Sequence, residues 1–170
     1  MPPPLRRAAA FGIAYRPLQE GDLPFIAALY ASTRTEELAP TGWPEEVKSA
    51  FLEQQHRAQH HHYQIHYPGA EWLIVEKHGE PIGRIYLHER ESELRLIDIA
   101  LVPAHRGAGI GGAMIGDLLE WAGALSKPIS LHVEPNNPVR PLYLRLGFES
   151  KGLDGAYEAM LWRPENEATA

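Results

Sequence analysis

Apolar residues alternate with polar ones in some stretches of this chain and recur every three or four positions in others, and the switches between these periods predict its elements. Phe11 to Leu18 is aromatic and β-branched, is closed by Arg16-Pro17, and reads as a first strand. Asp22 caps a helix with Leu23, Ile26, Ala27 and Tyr30 at helical spacing and Pro24 in its first turn, running to about Arg34. Pro40 and Gly42 break the segment from Glu36 to Trp43 into a linker. A second helix starts at Pro44 and reaches toward His66, with Val47, Phe51, Ala58 and Ile65 as its apolar stripe and Pro68-Gly69 as its stop.

Period two then takes over. Trp72 to Glu76 and Ile82 to Leu87 form a hairpin about His78-Gly79-Glu80, and after a charged turn from Glu89 to Glu93 the strand Leu94 to Val102 continues an antiparallel meander. A glycine-rich turn, His105 to Gly112, leads into a helix from Ala113 to Leu125 with Met114, Leu118, Trp121 and Leu125 at core spacing. Ile129 to Val133 is a further strand, succeeded by a polar turn from Glu134 to Pro138 and a short helix from Val139 to Leu146 that Gly147 ends. Phe148 to Leu153 and Ala156 to Trp162 make a last hairpin across Asp154-Gly155. The order β-α-α-β-β-β-α-β-α-β-β predicts one mixed α+β domain over 11–163, with 1–10 a flexible leader and 164–170 a loose tail.

Composition narrows the function classes. A chain of 170 residues with 44% hydrophobic and 22% charged residues is an ordinary globular one. A formal net charge of −6 argues against nucleic acid as its main partner. The absence of cysteine excludes disulfides, a thiolate nucleophile and a cysteine zinc site, and it fits a cytoplasmic protein. No apolar run is long enough for a membrane span. Histidines at 56, 60, 61, 62 and 66 include two i,i+4 pairs, but no nearby Cys or Asp completes a metal set, so they read as a solvated helix face and no metal is expected.

The chemistry concentrates at the glycine turn, since a strand, a glycine turn and a helix make an anion cradle. A P-loop needs Gly-Lys-Ser/Thr at its end, and here Gly111-Gly112-Ala113 stands there. Gly107-x-Gly109-x-x-Gly112 matches the dinucleotide fingerprint literally, with Glu134 as its acidic residue. Against that, Pro103 to Arg106 intervenes between strand and first glycine, and an antiparallel meander precedes the turn where a parallel doubly wound domain is required.

Arg106-x-x-Gly109-x-Gly111, followed in order by Asn136-x-x-Val139-x-x-Leu142-Tyr143-Leu144-Arg145-Leu146-Gly147-Phe148, resembles the two signatures of the GNAT superfamily of N-acyltransferases. The resemblance implies the GNAT fold: a mixed, mostly antiparallel sheet of about seven strands with four helices on its faces. It implies acetyl-CoA as co-substrate and a primary amine as acceptor, and it allows a homodimer.

By that resemblance the pyrophosphate lies on Arg106, Gly107, Ala108, Gly109, Ile110, Gly111 and Gly112. Backbone groups of Leu101 and Val102, together with Asn136, meet the pantetheine arm, and Tyr143 stands beside the sulfur as general acid. The bland alternatives are a solvated or loop-bracing Arg106 and a Tyr143 that packs on Phe148. Where many members carry a basic Glu this chain has about Arg95, which leaves Asp98, a carboxylate among apolar neighbours that can bind a proton, with Glu93 as runner-up. Asp98 also suits a purely structural hydrogen bond. Glu36, Glu37 and Trp43 lie where the family builds its acceptor pocket. A non-catalytic acyl-CoA sensor of the same fold is the alternative function.

Overall fold

The computed structural model describes residues 3–165. These form a seven-stranded sheet in the order β1-β2-β3-β4-β5-β7-β6, so the last hairpin enters the sheet by its second strand. The strands are β1 (Ile13–Pro17), β2 (Glu71–Lys77), β3 (Glu80–Glu89), β4 (Leu94–Leu101), β5 (Ile129–Val133), β6 (Glu149–Asp154) and β7 (Tyr157–Trp162). The helices are α1 (Leu23–Leu38), α2 (Glu45–His66), α3 (Ile110–Leu125) and α4 (Arg140–Arg145). All strand pairs are antiparallel except β4 with β5. The mixed α+β fold expected from the pattern is therefore the one observed.

Alternation along the strands sends side chains to two different layers. Leu73, Val75, Ile85, Leu94, Leu96, Ile129 and Leu131 form one continuous core with Met114, Ile115 and Leu118 of α3. On the other side, Ile74 and Tyr86 are fully buried together with Ile26 and Leu29 of α1. α3 is apolar nearly all round, and seven of its residues are buried, as befits a helix lying across the middle of a sheet.

Four expectations change. α1 continues through Glu36 and Glu37 to Leu38, so these residues sit on a helix instead of in a linker. α2 turns a different face inward from the one its apolar residues suggest: Val47 and Ile65 are exposed, whereas His56 is buried. Its inward positions are taken by polar and aromatic side chains that reach the sheet, which the apolar count does not see. α3 begins at Ile110, three residues before the predicted start, because Gly109 in the left-handed region provides its N-cap.

The fourth change concerns the leader. Residues 3–11 are docked, ending in a 3-10 turn at Ala8–Phe11 with Ala8 fully buried. The cause is Asp117, a carboxylate of α3 that is 2% exposed. It accepts the backbone N–H groups of Arg6 (3.2 Å), Arg7 (2.8 Å) and Ala8 (2.9 Å). Arg6 and Arg7 then reach Glu120 one turn further along α3, at 2.8 and 2.6 Å. At the other end, Pro164 is buried, and residues 166–170 of the expected loose tail lie outside the described residues.

Asp117→Ala removes one acceptor from three buried or half-buried donors. The expected loss of stability is about 2 to 3 kcal/mol in urea unfolding, with faster amide exchange confined first to residues 6–8. An unchanged midpoint means that the leader is held by apolar packing alone.

Candidate functional site

The site is organised by the parting of β4 from β5. The two strands share register at only two positions, Leu94 with Ile129 and Arg95 with Ser130, after which β5 pairs with β7 alone. Within β4 the register against β3 jumps from Leu96 to Asp98, leaving Ile97 as an extra residue. Such a bulge bends and twists its strand and reverses the facing of every later residue in it. Leu94 and Leu96 belong to the α3 core before it, and Ile99 and Leu101 pack on that core after it. Asp98 is thereby turned to the opposite face, with α2 and β3.

At the far end of β4 the backbone divides its loyalties. Val102 faces β3: its N–H donates to the Ile82 carbonyl at 2.8 Å and its own carbonyl accepts from His105. It is not available to an arm lying in the gap, contrary to the sequence expectation. Leu101, one residue earlier, points the other way, into the gap. Its carbonyl accepts the Arg106 Nε–H at 2.8 Å, and the same guanidinium reaches Ser32 Oγ of α1 at 3.1 Å. Arg106 thus braces the loop against β4 and α1.

Beyond Arg106, Gly107 and Gly109 adopt φ of +75° and +89°, which bends the chain so that α3 starts abruptly at Ile110. The N–H groups of Ile110, Gly111 and Gly112 have no intrahelical partner, and Ala113 makes the first such bond, to the Gly109 carbonyl at 3.0 Å. A Cβ on Gly111 meets nothing within 4 Å. Glycine inside a helix costs about 1 kcal/mol relative to alanine, and no protein neighbour requires it at 111. Free donors, the positive end of a 16-residue helix and open space fit a bound phosphate group.

On the other side of the gap, Asn137 supports the turn into α4 by accepting the Val139 N–H at 2.9 Å, whereas Asn136 is exposed and carries no structural hydrogen bond among the described residues. α4 is fixed by Arg140, whose guanidinium grips Glu158 of β7 at 2.5 and 3.0 Å and holds its carboxyl down at about 2. Tyr143 is 4% exposed and packs edge-on to Phe148 at 5.3 Å between ring centres. Burial first, and the negative charge of Asp98 second, push its phenol well above the usual tyrosine range.

Asp98 itself is half buried in a polar cluster. Its Oδ2 accepts from Arg84 Nη2 at 2.5 Å and from the Tyr63 hydroxyl at 3.5 Å, and Gln59 holds the same Arg84 nitrogen at 3.0 Å. Arg84 is 3% exposed, lies over the Tyr86 ring at 4.9 Å, and leaves its Nε without a partner. His56 is 6% exposed beside Tyr30, and its Nε2 is also unpartnered. Burial, then the nearby positive charges of Arg84 and His60, lower the His56 pKa to about 4. The histidines of α2 are thus not one solvated face. Tyr63 and Arg84 escape a sequence reading because a lone tyrosine on a polar helix and a lone arginine in an apolar strand carry no pattern.

The remaining candidates separate. Glu93 pairs with Arg90 at 2.9 Å in the turn before β4, at the opposite end of that strand from the glycine loop. Glu37 pairs with Arg34, which also holds Glu134 at 2.8 Å, and Glu36 is exposed on α1. Trp43 is 39% exposed and leans edge-on against Phe51. Arg95 contacts His132 Nδ1, and His132 Nε2 lies 3.1 Å from Asp154, a chain that links β4, β5 and β6 beside the gap. A cavity of about 640 Å³ lies at the edge of β1 and β2 against α2, lined by residues including Tyr15, His60 and Trp72. Among the described residues no group of three or more acidic, histidine or cysteine side chains is placed to hold a metal, and no helix is long and apolar enough to cross a membrane.

A model of the Acetyltransferase (GNAT) family matches residues 31–148. Among solved structures, an N-acetyltransferase, PaiA, from Thermoplasma acidophilum in complex with coenzyme A is 18% identical with a TM-score of 0.63, covering 89% of this chain and 98% of that one. A spermidine N-acetyltransferase from Vibrio cholerae, in complex with CoA and spermine, is 24% identical with a TM-score of 0.59, covering 89% and 95%. These likenesses show the fold. A protein of Mycobacterium leprae is 39% identical over 71 residues, which are 41% of this chain and only 19% of that relative's length.

The His56 shift has a sign that can be read in solution. An unfolded chain binds the His56 proton near pH 6.5 and the native protein only near 4, so stability is full above pH 6.5 and falls as pH drops toward 4. In His56→Phe the urea midpoint declines less over this interval than in the parent protein. Parallel curves for the two proteins contradict a neutral, buried His56.

Proposed function

The chain belongs to the GNAT acetyltransferase family, and from that membership we propose that it transfers an acetyl group from acetyl-CoA to a primary amine, using Tyr143 as general acid and Asp98 as the acceptor of the amine proton. The single observation that carries this reading is the gap itself: β4 leaves β5 after two residue pairs, and the glycine loop with its free N–H groups at the start of α3 follows directly on β4.

Acetyl-CoA supplies the activated thioester. The residues of the chain do the rest. The N–H groups of Ile110, Gly111 and Gly112 bind the pyrophosphate, helped by the α3 dipole and by Arg106, which keeps the loop in place. The Leu101 N–H and the exposed Asn136 hold the pantetheine arm. Arg84 fixes Asp98 through Oδ2, and Asp98 Oδ1, which makes no hydrogen bond among the described residues, takes the proton of the incoming amine directly or through water. Tyr143 stays protonated because it is buried, and it donates to the departing sulfur. Relatives of this fold crystallised with coenzyme A support the choice of co-substrate.

One observation favours a second reading, a domain that binds acyl-CoA without turnover: the same Arg84 contact commits half of the Asp98 carboxylate to an ion pair. Thiol release on mixing the protein with acetyl-CoA and an amine panel separates the two. A binder is stabilised thermally by acetyl-CoA and releases no amine-dependent thiol.

Three variants test the roles. Gly111→Val puts a side chain where the chain itself has none to meet, and is expected to weaken CoA binding at least about tenfold by calorimetry with little change in unfolding midpoint. Tyr143→Phe slows kcat by about tenfold to a hundredfold, since a thiol with a pKa of about 8.5 leaves fairly well unaided. Asp98→Asn lowers kcat about a hundredfold while CoA affinity is kept. Undiminished turnover in either of the last two removes that residue from the mechanism.

A further inference from the structure

The cluster beneath Asp98 is built for more than support. Arg84 is a buried cation with one strand neighbour, Tyr86, under its guanidinium and one carboxylate oxygen in front of it. Both the Arg84 and Tyr63 contacts fall on Oδ2, so Asp98 turns its other oxygen to the opening, where its side chain is 20% exposed. Tyr63 stacks on Trp72 behind it, ring centres 6.2 Å apart, and meets Tyr86 edge-on at 6.1 Å. Tyr157, at the start of β7, is 45% exposed and close enough to Tyr63 for the two phenols to interact electrostatically. An aromatic wall therefore flanks a single free carboxylate oxygen.

The charges around it are already spoken for. Glu37 and Glu134 share Arg34, at 3.0 and 2.8 Å, and Glu158 holds Arg140. Asp154 sits 3.1 Å from His132, whose other nitrogen meets Arg95. On the face of the sheet that carries Asp98, two guanidinium groups, Arg84 and Arg95, stand against one incompletely paired carboxylate. A second or third ammonium close to Asp98 meets the positive charge of Arg84 and Arg95.

Resting on the acetyl-transfer reading given above, we propose that the Arg84–Asp98 pair under Tyr63 and Tyr157 selects the acceptor: a primary amine with one positive charge on an aromatic or apolar body, in preference to a polyamine. Asp98 Oδ1 receives the ammonium, Tyr63 and Tyr157 pack against the body behind it, and Arg84 is a positioning residue that also sets the charge limit.

Two measurements on the full-length protein test this: kcat/KM from thiol release for phenethylamine, butylamine and spermidine, and calorimetric binding of the same amines to CoA-saturated protein. The monoamines are expected to exceed spermidine by about tenfold or more, phenethylamine leading. Arg84→Gln moves the monoamine-to-spermidine ratio at least about tenfold toward spermidine and Arg84→Lys restores it, whereas a merely structural Arg84 lowers all amines together. Tyr63→Leu raises KM for phenethylamine more than KM for butylamine. Should Arg84→Gln fail to fold, the ratio in the unmutated protein and the Tyr63→Leu result still decide. Preference for spermidine, or a uniform loss in Arg84→Gln, overturns the proposal while leaving acetyl transfer standing. Selective monoamine binding without thiol release supports the selection and overturns the transfer reading alone.

Discussion

One extra residue in β4 governs this structure. Ile97 has no partner across from it on β3, and a strand with such a bulge must twist and bend locally. Because side chains alternate along a strand, inserting one residue exchanges the two faces for everything downstream. Leu94 and Leu96 before the bulge, and Ile99 and Leu101 after it, all meet the same core, while Asp98 goes to the other layer. The chain thus keeps a continuous apolar floor under α3 and still delivers a carboxylate to the face where α2 lies. The same bend carries β4 away from β5 after two pairs, and backbone groups of β4 that face the gap lose the ladder that would have satisfied them. An extended arm with amide groups can replace a missing strand in this position, and on the proposed reading the gap and the glycine loop beside it serve one ligand.

Two carboxylates, one buried and one half-buried, show how the same group serves different ends. Asp117 receives three successive backbone N–H groups and has no buried cation. Its demand for donors orders a segment that has little apolar content of its own. Asp98 instead faces a buried guanidinium, with a tyrosine hydroxyl as second donor. A pair of this kind adds little net stability, since desolvating both ions offsets most of their attraction, but breaking it leaves an unpaired charge inside the protein. The unpartnered Nε of Arg84 and Nε2 of His56 mark this region as one where satisfaction of polar groups is incomplete. Such a region is a poor choice for stability alone and a natural one for a site that exchanges protons and solvent.

How much of this is legible in the sequence depends on which forces are local. The glycine loop, the strand before it and the Asn136 to Phe148 segment can be read because turn chemistry, capping and short motifs act within a few residues. The meander and the α+β class come from period alone. The docked leader is not legible: it depends on Asp117, more than a hundred residues away, and an Ala-Pro-Arg segment has no periodicity. The inner face of α2 misleads in the opposite way, since its apolar residues Val47 and Ile65 point outward and its contacts are made by His56 and Tyr63. Nor can the strand order be read, because inserting β7 between β5 and β6 is decided by pairing across the sheet.

Tyr143 and Asp98 also differ in how firmly they are set. Tyr143 is held by the Arg140–Glu158 grip on α4 and by the Phe148 ring, and its burial keeps the phenol protonated through the whole neutral range. A phenol kept protonated in this way is available, on the proposed chemistry, to donate to the sulfur as it departs. Asp98 is in the reverse position. One oxygen is fixed by Arg84 and the other opens on the cleft, so its role depends on what the acceptor brings to it. On the proposed chemistry, catalytic demand therefore falls chiefly on the acceptor side, where residues from α2, β3, β4 and β7 must agree, while the proposed cofactor side rests on the backbone geometry of the glycine loop.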